Sequence, residues 1–339
     1  MSLKKVVDCI RRHKNFLITS HTNLEGDALG SELAFYLLLK KLGKGAVIVN
    51  EDDVPCEYDF LPQKSNIKKF SSKSGIPPHL KSQVEKDNLK KRIRFDCLVV
   101  LDCSDLRRTG TVYKINTGNT PILNIDHHIS NQRFGDVNWV DLDSSSCSEM
   151  IYKLYKKLGI TLDRDAAILL YVGILTDTGS FRYSNATSFT HKAVSELLKH
   201  NIDIPQIFKN IYENITFQDT KLLARILSDM RSSAGGKIAW LKIKRNILKN
   251  KKLSFDLSET LLNFGRAIKD VEVCVLFKEN LGARDEVRVN FRSQGKVDVN
   301  RIASFFGGGG HKAASAATIK GNIDQIRRRV LNKIQESLK

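Results

Sequence analysis

The apolar positions of this chain fall in short runs that end, again and again, in acidic or imidazole side chains. Phe16, Leu17 and Ile18 form the first run and predict a buried strand, and residues 28–39 (ALGSELAFYLLL) then form the apolar face of a helix. The turn between them carries His21, Glu25 and Asp27, and Gly26 and Gly30 allow a close backbone approach there. A purely structural account of this turn is a helix cap by Asp27 or Ser31. Residues 46–49 predict a second strand, an acidic turn follows at Glu51, Asp52 and Asp53, and residues 60–78 are rich in turn signals. Residues 95–101 (FDCLVVL) are nearly continuous in apolar side chains, as parallel strands are, and lead into Asp102. Residues 121–125 (PILNI) predict the next strand and lead into Asp126, His127 and His128. A capped amphipathic helix is expected over 144–158, with Ser146 and Glu149 at the spacing of a capping box. An apolar helix over 165–175 runs into a further acidic turn at Asp177.

Strands alternating with helices predict an α/β fold with a mainly parallel, Rossmann-like sheet, in which ligands sit at the carboxyl ends of strands. Residues 187–227 keep a helical pattern without chemical motifs. Beyond Gly235 and Gly236, strands are expected over 238–243, 271–277 and 286–291, the last with alternating character. The run Phe305 to His311 (FFGGGGH), an alanine-rich stretch and a basic C-terminal helix complete the pattern. A length of 339 residues predicts two domains. We place a larger one at 1–190, a helical linker at 191–225 and a smaller α/β domain at 226–339, with the active site in the cleft between the domains.

Composition narrows the class. Hydrophobic residues at 41% and charged residues at 27% are those of a globular protein in water. The longest apolar candidate, 166–175, is about half the length a bilayer requires, and charges scattered through the first residues leave no signal-peptide core. No membrane partner and a cytoplasmic location are the expectation. The net charge of +18 favours anionic partners such as nucleotides, although lysine is spread along the whole chain. The charge run at 81–94 (KSQVEKDNLKKRIR) is expected to be a solvated helix or loop rather than a nucleic-acid groove. Cysteines at 9, 56, 97, 103, 147 and 274 form no CxxC pair and no zinc-finger spacing, so they read as reduced thiols used as small hydrophobes.

The chemistry lies in the turns. His21, Glu25, Asp27, Asp102, Asp126, His127, His128 and Asp177 make an oxygen-rich donor set with imidazole nitrogens and no thiolate, which suits manganese or magnesium, with iron or cobalt as alternatives. These are more donors than one ion needs. Two ions about 3.5–4 Å apart, bridged by a carboxylate, would clamp the attacking and leaving oxygens of a phosphoryl displacement.

The order His-x3-acid-x-Asp, Asp, Asp-His-His, Asp resembles the DHH phosphoesterase superfamily. The GGGGH run, preceded by Val289 to Ser293 (VNFRS), looks like its DHH-associated C-terminal domain. The resemblance covers almost the whole chain and is strongest to the subfamily of short-oligonucleotide (oligoribonuclease, nano-RNase) and pAp phosphatases, which includes stand-alone cyclic di-AMP phosphodiesterases. It implies two Mn2+ ions, with Mg2+ or Co2+ as substitutes. His21, Glu25 and Asp102 would hold one ion, and Asp27, Asp102, His127 and Asp177 the other, so that Asp102 bridges. His128 would face the substrate phosphate and Asp126 would orient His127 from behind. Glu25 stands where the family usually has aspartate. Arg292, Ser293, Gly308, Gly309, Gly310 and His311 are the implied substrate contacts. A glycine run can turn backbone N–H groups toward a phosphate, arginine can grip one bidentately, and Phe305 or Phe306 either stacks on a base or packs in the core. The implied reaction is hydrolysis of cyclic di-AMP or short linear oligoribonucleotides such as pApA to AMP, together with removal of the 3′ phosphate of pAp, in a monomer or homodimer. Three alternatives remain: a single-strand-specific exonuclease of the same superfamily, a family II inorganic pyrophosphatase, which the GGGGH run opposes, and a non-catalytic nucleotide sensor, motivated by Glu25.

Overall fold

A computed structural model describes residues 3–70, 94–118, 120–248, 257–279 and 285–338, so all of the charge run at 81–94 except Arg94 lies outside the described residues. The chain divides into two units, Met1–Ile211 and Tyr212–Lys339.

In the first unit the described elements are α1 (Leu3–Arg12), β1 (Asn15–Thr19), α2 (Gly26–Lys41), β2 (Gly45–Asn50), β3 (Ile67–Lys69), β4 (Cys97–Leu101), β5 (Ile122–Asp126), β6 (Val137–Val140), α3 (Cys147–Leu158), α4 (Arg164–Asp177), α5 (Ser188–Leu198) and α6 (Ile204–Tyr212), the last reaching the boundary. The strands pair in parallel in the order β3-β2-β1-β4-β5-β6. This is the doubly wound order whose direction reverses between β1 and β4, and a crevice opens beyond the carboxyl ends of the strands at such a reversal. β4 is wholly buried, as its unbroken apolar sequence requires. Two strands escaped the hydrophobic pattern. β3 is Ile-Lys-Lys and β6 is Val-Asn-Trp-Val, and both are short strands at the sheet's edges, where one flank needs no apolar cover.

Helix α3 starts three residues later than its pattern suggests, because Ser146 is its cap and accepts from the Glu149 N–H at 3.0 Å. The reciprocal half of the capping box is not made. Glu149 instead accepts from the Ser145 and Thr190 hydroxyls, each at 2.7 Å. Asp163 caps α4 through the Ala166 N–H, and Asp177 is the last residue of that helix rather than part of a turn. Helix α2 lies close against α4. A Cβ on Gly30 would sit 2.4 Å from the Leu169 carbonyl and one on Gly26 would sit 2.5 Å from the Thr176 side chain, so these glycines serve close helix packing.

The second unit contains α7 (Phe217–Ser228), β7 (Arg231–Ser233), β8 (Ile238–Ile243), α8 (Arg245–Leu248), α9 (Leu257–Arg266), β9 (Val273–Glu279), β10 (Glu286–Ser293), α10 (Val299–Phe305), β11 (Gly309–Gly310), β12 (Ala314–Lys320) and α11 (Ile323–Ser337). Its sheet runs β11-β12-β10-β9-β8-β7, with β8 and β9 parallel and the other pairs antiparallel. Alternate residues of β9 face two apolar layers. Val273, Val275 and Phe277 pack with Ile302, Ile326 and Val330, while Cys274 and Leu276 pack with Leu223, Leu261 and Leu262. The alanine-rich stretch is strand β12, which propensity does not favour. Its small side chains and the glycines opposite pack at backbone distance. A Cβ on Gly308 would lie 2.2 Å from the Ala316 carbonyl, and Gly310 has φ 147°, which L side chains rarely adopt. No helix among the described residues is long and apolar enough to cross a membrane.

Candidate metal centre

Beyond the ends of β1 and β4, His21 and Asp102 meet. The His21 Nδ1 lies 2.8 Å from the Thr22 carbonyl, which can only accept, so Nδ1 donates there and Nε2 faces Asp102 Oδ2 at 3.3 Å. An imidazole nitrogen and a carboxylate oxygen so placed are a pair of ligand atoms that one cation can join. Asp102 has φ 51°, a left-handed backbone that aspartate tolerates better than most residues, and its N–H is held by the Ile125 carbonyl at 3.0 Å. Its Oδ1 is 3.5 Å from His127 Nε2 and 3.5 Å from His128 Nδ1. His127 Nε2 also lies 3.3 Å from Asp177 Oδ2 and 3.8 Å from Asp27 Oδ2. One donor atom each from His21, Glu25 and Asp102 lie within 4.8 Å of one another, and so do atoms of Asp27, Asp102 and His127. Asp102 is common to both groups.

The surrounding chain sets each group's orientation. Glu25, rather than Asp27 or Ser31, caps α2, accepting the Ala28 N–H at 3.0 Å. Asp27 crosses to the start of α3, where it accepts the N–H groups of Cys147 at 2.6 Å and Ser148 at 2.8 Å. There the free donors and dipole of a helix N-terminus offset the burial of its charge. Asp126 does not orient His127. Its Oδ1 accepts from His128 Nδ1 at 2.7 Å and its Oδ2 from the Asn131 amide at 2.6 Å. Asp126 is the last residue of β5 and the two histidines lie beyond it, with both rings facing Asp102 and their centroids 5.0 Å apart. Asn131, which links Asp126 to the Asn124 side chain at 2.9 Å, is a site residue that sequence reasoning missed; its only signal is its nearness to the Asp-His-His triplet.

Carboxylates outnumber imidazoles here. Burial, and then the charges of Asp102 and its neighbours, hold the Glu25 and Asp27 carboxyls well above the usual range, and burial with Asp102 raises Asp177. Asp102 stays well below that range. Burial opposes its ionisation, but the adjacent imidazoles of His127, His21 and His128 prevail. Burial would lower His127, yet Asp177, Asp102 and Asp27 together push it well up. Asp102 Oδ1 and Asp177 Oδ2 are buried and complete no hydrogen bond. Mutually repelling acids with unsatisfied oxygens fit bound divalent cations. Among the nearby thiols, burial pushes Cys103 up to about 12 and also raises Cys147.

The residues expected to bind substrate sit differently. Arg292 donates from Nη2 to Glu259 at 2.6 Å and from Nη1 to the Phe291 carbonyl at 2.9 Å. Ser293 is buried and donates to Glu272 at 3.0 Å. Gly309 and Gly310 form β11, paired with Ala316 and Ser315. The N–H groups of Gly308 and His311 donate to the Ala303 and Ala314 carbonyls at 2.8 and 2.7 Å. Phe305 is exposed, with Lys333 above its ring, whereas Phe306 packs against the core.

Comparison with known proteins agrees with this architecture. The DHH family N-terminal domain matches residues 15–174 and the DHHA1 domain matches residues 235–336. The chain is 30% identical to the bifunctional oligoribonuclease and PAP phosphatase NrnA of Thermus thermophilus over 95% of its own length and 89% of that protein's. It is 25% identical to the protein of the same name from Mycoplasma genitalium, over 94% and 92%. Its fold superposes on an exopolyphosphatase-related protein from Bacteroides fragilis with a TM-score of 0.82 at 24% identity, covering 98% and 96% of the two chains. The chain belongs to the DHH phosphoesterase family, with a DHHA1 domain following the catalytic one, and is a metal-dependent hydrolase of phosphoester bonds. Within that family it falls with the oligoribonuclease and PAP phosphatase branch.

Proposed function

We propose that this enzyme uses two Mn2+ ions to hydrolyse short oligoribonucleotides, cyclic di-AMP and its linear product pApA to mononucleotides, and that it removes the 3′ phosphate of pAp at the same site. The observation that carries the reading is the shared position of Asp102, a buried carboxylate common to both groups of donor atoms. His21, Glu25 and Asp102 hold one ion; Asp27, Asp102, His127 and Asp177 hold the other. When bound, such a pair activates water at neutral pH and neutralises charge on the transferring phosphoryl group. The chain's own groups do the rest. Asp126 accepts from His128 Nδ1 and would stabilise the imidazolium form of that ring, whose Nε2–H can contact a phosphate oxygen and pass its proton to the leaving oxygen. The second unit contributes Arg292 and His311 as phosphate contacts. Gly308 and Gly310 act through close packing, Gly309 through its pairing with Ala316, and Ser293 from behind through Glu272. The names of the Thermus and Mycoplasma relatives support the short-RNA and pAp substrates.

The test is a comparison of kcat/KM for cyclic di-AMP, pApA, a five-nucleotide RNA, a twenty-nucleotide strand and pAp, using metal-stripped enzyme reloaded with Mn2+, Mg2+ or Co2+. Highest values are expected for the short substrates with two Mn2+ per chain. Processive degradation of the long strand with poor cleavage of dinucleotides would refute the reading in favour of the exonuclease.

A further inference from the structure

Asp102 follows the carboxyl end of β4; at the amino end of the same strand a second cluster of ligand atoms lies outside the phosphoesterase centre. Cys97 opens β4 fully buried, and Cys9 on α1 is 4% exposed. His13 follows α1 one helical turn after Cys9, its N–H still bonded to the Cys9 carbonyl at 3.3 Å, so both side chains share a face. Cys9 Sγ is 3.9 Å from Cys97 Sγ and 3.6 Å from His13 Nδ1, and the three ligand atoms lie within 4.8 Å of one another. A tetrahedral zinc ion with its usual bond lengths puts two sulfurs about 3.8 Å apart, and sulfur and nitrogen about 3.6 Å apart. Two observed edges match these without movement of the backbone.

We propose that Cys9, His13 and Cys97 bind one Zn2+, with the fourth position taken by solvent on the half-exposed His13 side. Soft thiolates select zinc where the carboxylate centre selects manganese, so the two sites on β4 sort metals by donor type. The Cys9 thiol is already lowered to about 7, by its bond from Cys97 against the opposing effect of burial, and then by His13 and Arg12. The bond to Cys9 and then burial raise the Cys97 thiol, so binding displaces the Cys97 proton, with any left on Cys9, to solvent. The His13 ring gives up its 2.8 Å bond to the Cys9 carbonyl and carries its proton on Nε2, while that carbonyl keeps the His13 N–H. The bound ion ties α1 to the central strand.

The experiment uses the full chain with its phosphoesterase centre saturated with Mn2+. Titration with Co2+ should produce one equivalent of a thiolate-to-metal charge-transfer band, which Zn2+ bleaches. Zn2+ should also raise Tm by about 5 °C and protect Cys9 from alkylation by iodoacetamide. The band should vanish in Cys9→Ser and Cys97→Ala, weaken in His13→Gln and persist in Asp102→Asn. No thiolate band in the unsubstituted protein, a band that survives Cys9→Ser, or a pair that only oxidises to a Cys9–Cys97 disulfide without taking up zinc would each overturn the proposal. The first and last of these readouts need no variant to fold.

Discussion

Carboxylates with buried oxygens in the two units show opposite uses of charge. Glu272 in the second unit accepts the Ser293 hydroxyl at 3.0 Å and the N–H groups of Lys296 at 2.8 Å and Val297 at 3.0 Å, so a single carboxylate oxygen fastens the turn after β10. In the first unit Asp102 and Asp177 each bury an oxygen that completes no hydrogen bond, beside other acids that repel it. The difference between them is satisfaction: a buried acid that has its donors is part of the fold, and one that keeps an unbonded oxygen beside other ligand atoms suits a cation. Arg292 lies between these cases, since its guanidinium is already paired with Glu259, and in the proposed role a substrate phosphate would have to compete for it.

The comparison can be broken most sharply at Asp102. Asp102→Ala and Asp102→Asn should each lower kcat by about 10^3-fold and reduce the metal content. The Asn variant keeps a residue that accepts the left-handed backbone, so an equal loss in both assigns the effect to charge rather than to strain. Activity within tenfold of the parent would remove Asp102 from the centre. In the second unit, Arg292→Ala and His311→Ala should each raise KM about tenfold or more, the value of one charge-assisted contact, with metal content unchanged. Unaltered KM and kcat would confine these residues to the fold. Glu272→Ala should leave metal binding intact yet destabilise the second unit by about 3 kcal/mol, because it strands several donors, and denaturant unfolding reads this directly.

A smaller effect separates Glu272 from another buried acid. Glu32 receives one donor, the Asn50 amide at 2.8 Å, and burial raises its carboxyl from 4.5 to about 8. The sign follows from proton uptake. Between those two values the folded state binds a proton that the unfolded state has lost, so stability falls as pH rises through that window and levels off above about 8. Glu32→Gln has no such proton and should gain on the parent by up to about 1.4 kcal/mol per pH unit there. Parallel Tm-against-pH curves for the two proteins would contradict a neutral Glu32. The smallest change is expected for Glu25→Asp, which should stay within about tenfold of the parent in kcat/KM, because the shorter side chain can still cap α2.

Much of the first unit was legible because its strands are buried on both faces and so carry unbroken apolar runs, and because those runs end in ligand-type residues. β1, β4 and β5 lie where the pattern places them, and His21, Asp102 and His127 follow them into one locus. The edge strands β3 and β6 lacked a signal, as did β12, whose alanines pack against glycine rather than against bulk.

The amino-acid sequence by itself determined the α/β class, the order of the ligand-bearing turns and the hard-donor chemistry, since each depends on residue type and local period. Only the tertiary structure decided which groups face one another. It paired Asp126 with His128 and Arg292 with Glu259. It also set Cys9 3.9 Å from Cys97 across 88 residues, although no local spacing marks the pair. Such partners are chosen by packing between elements distant in the chain, and no local pattern encodes that geometry.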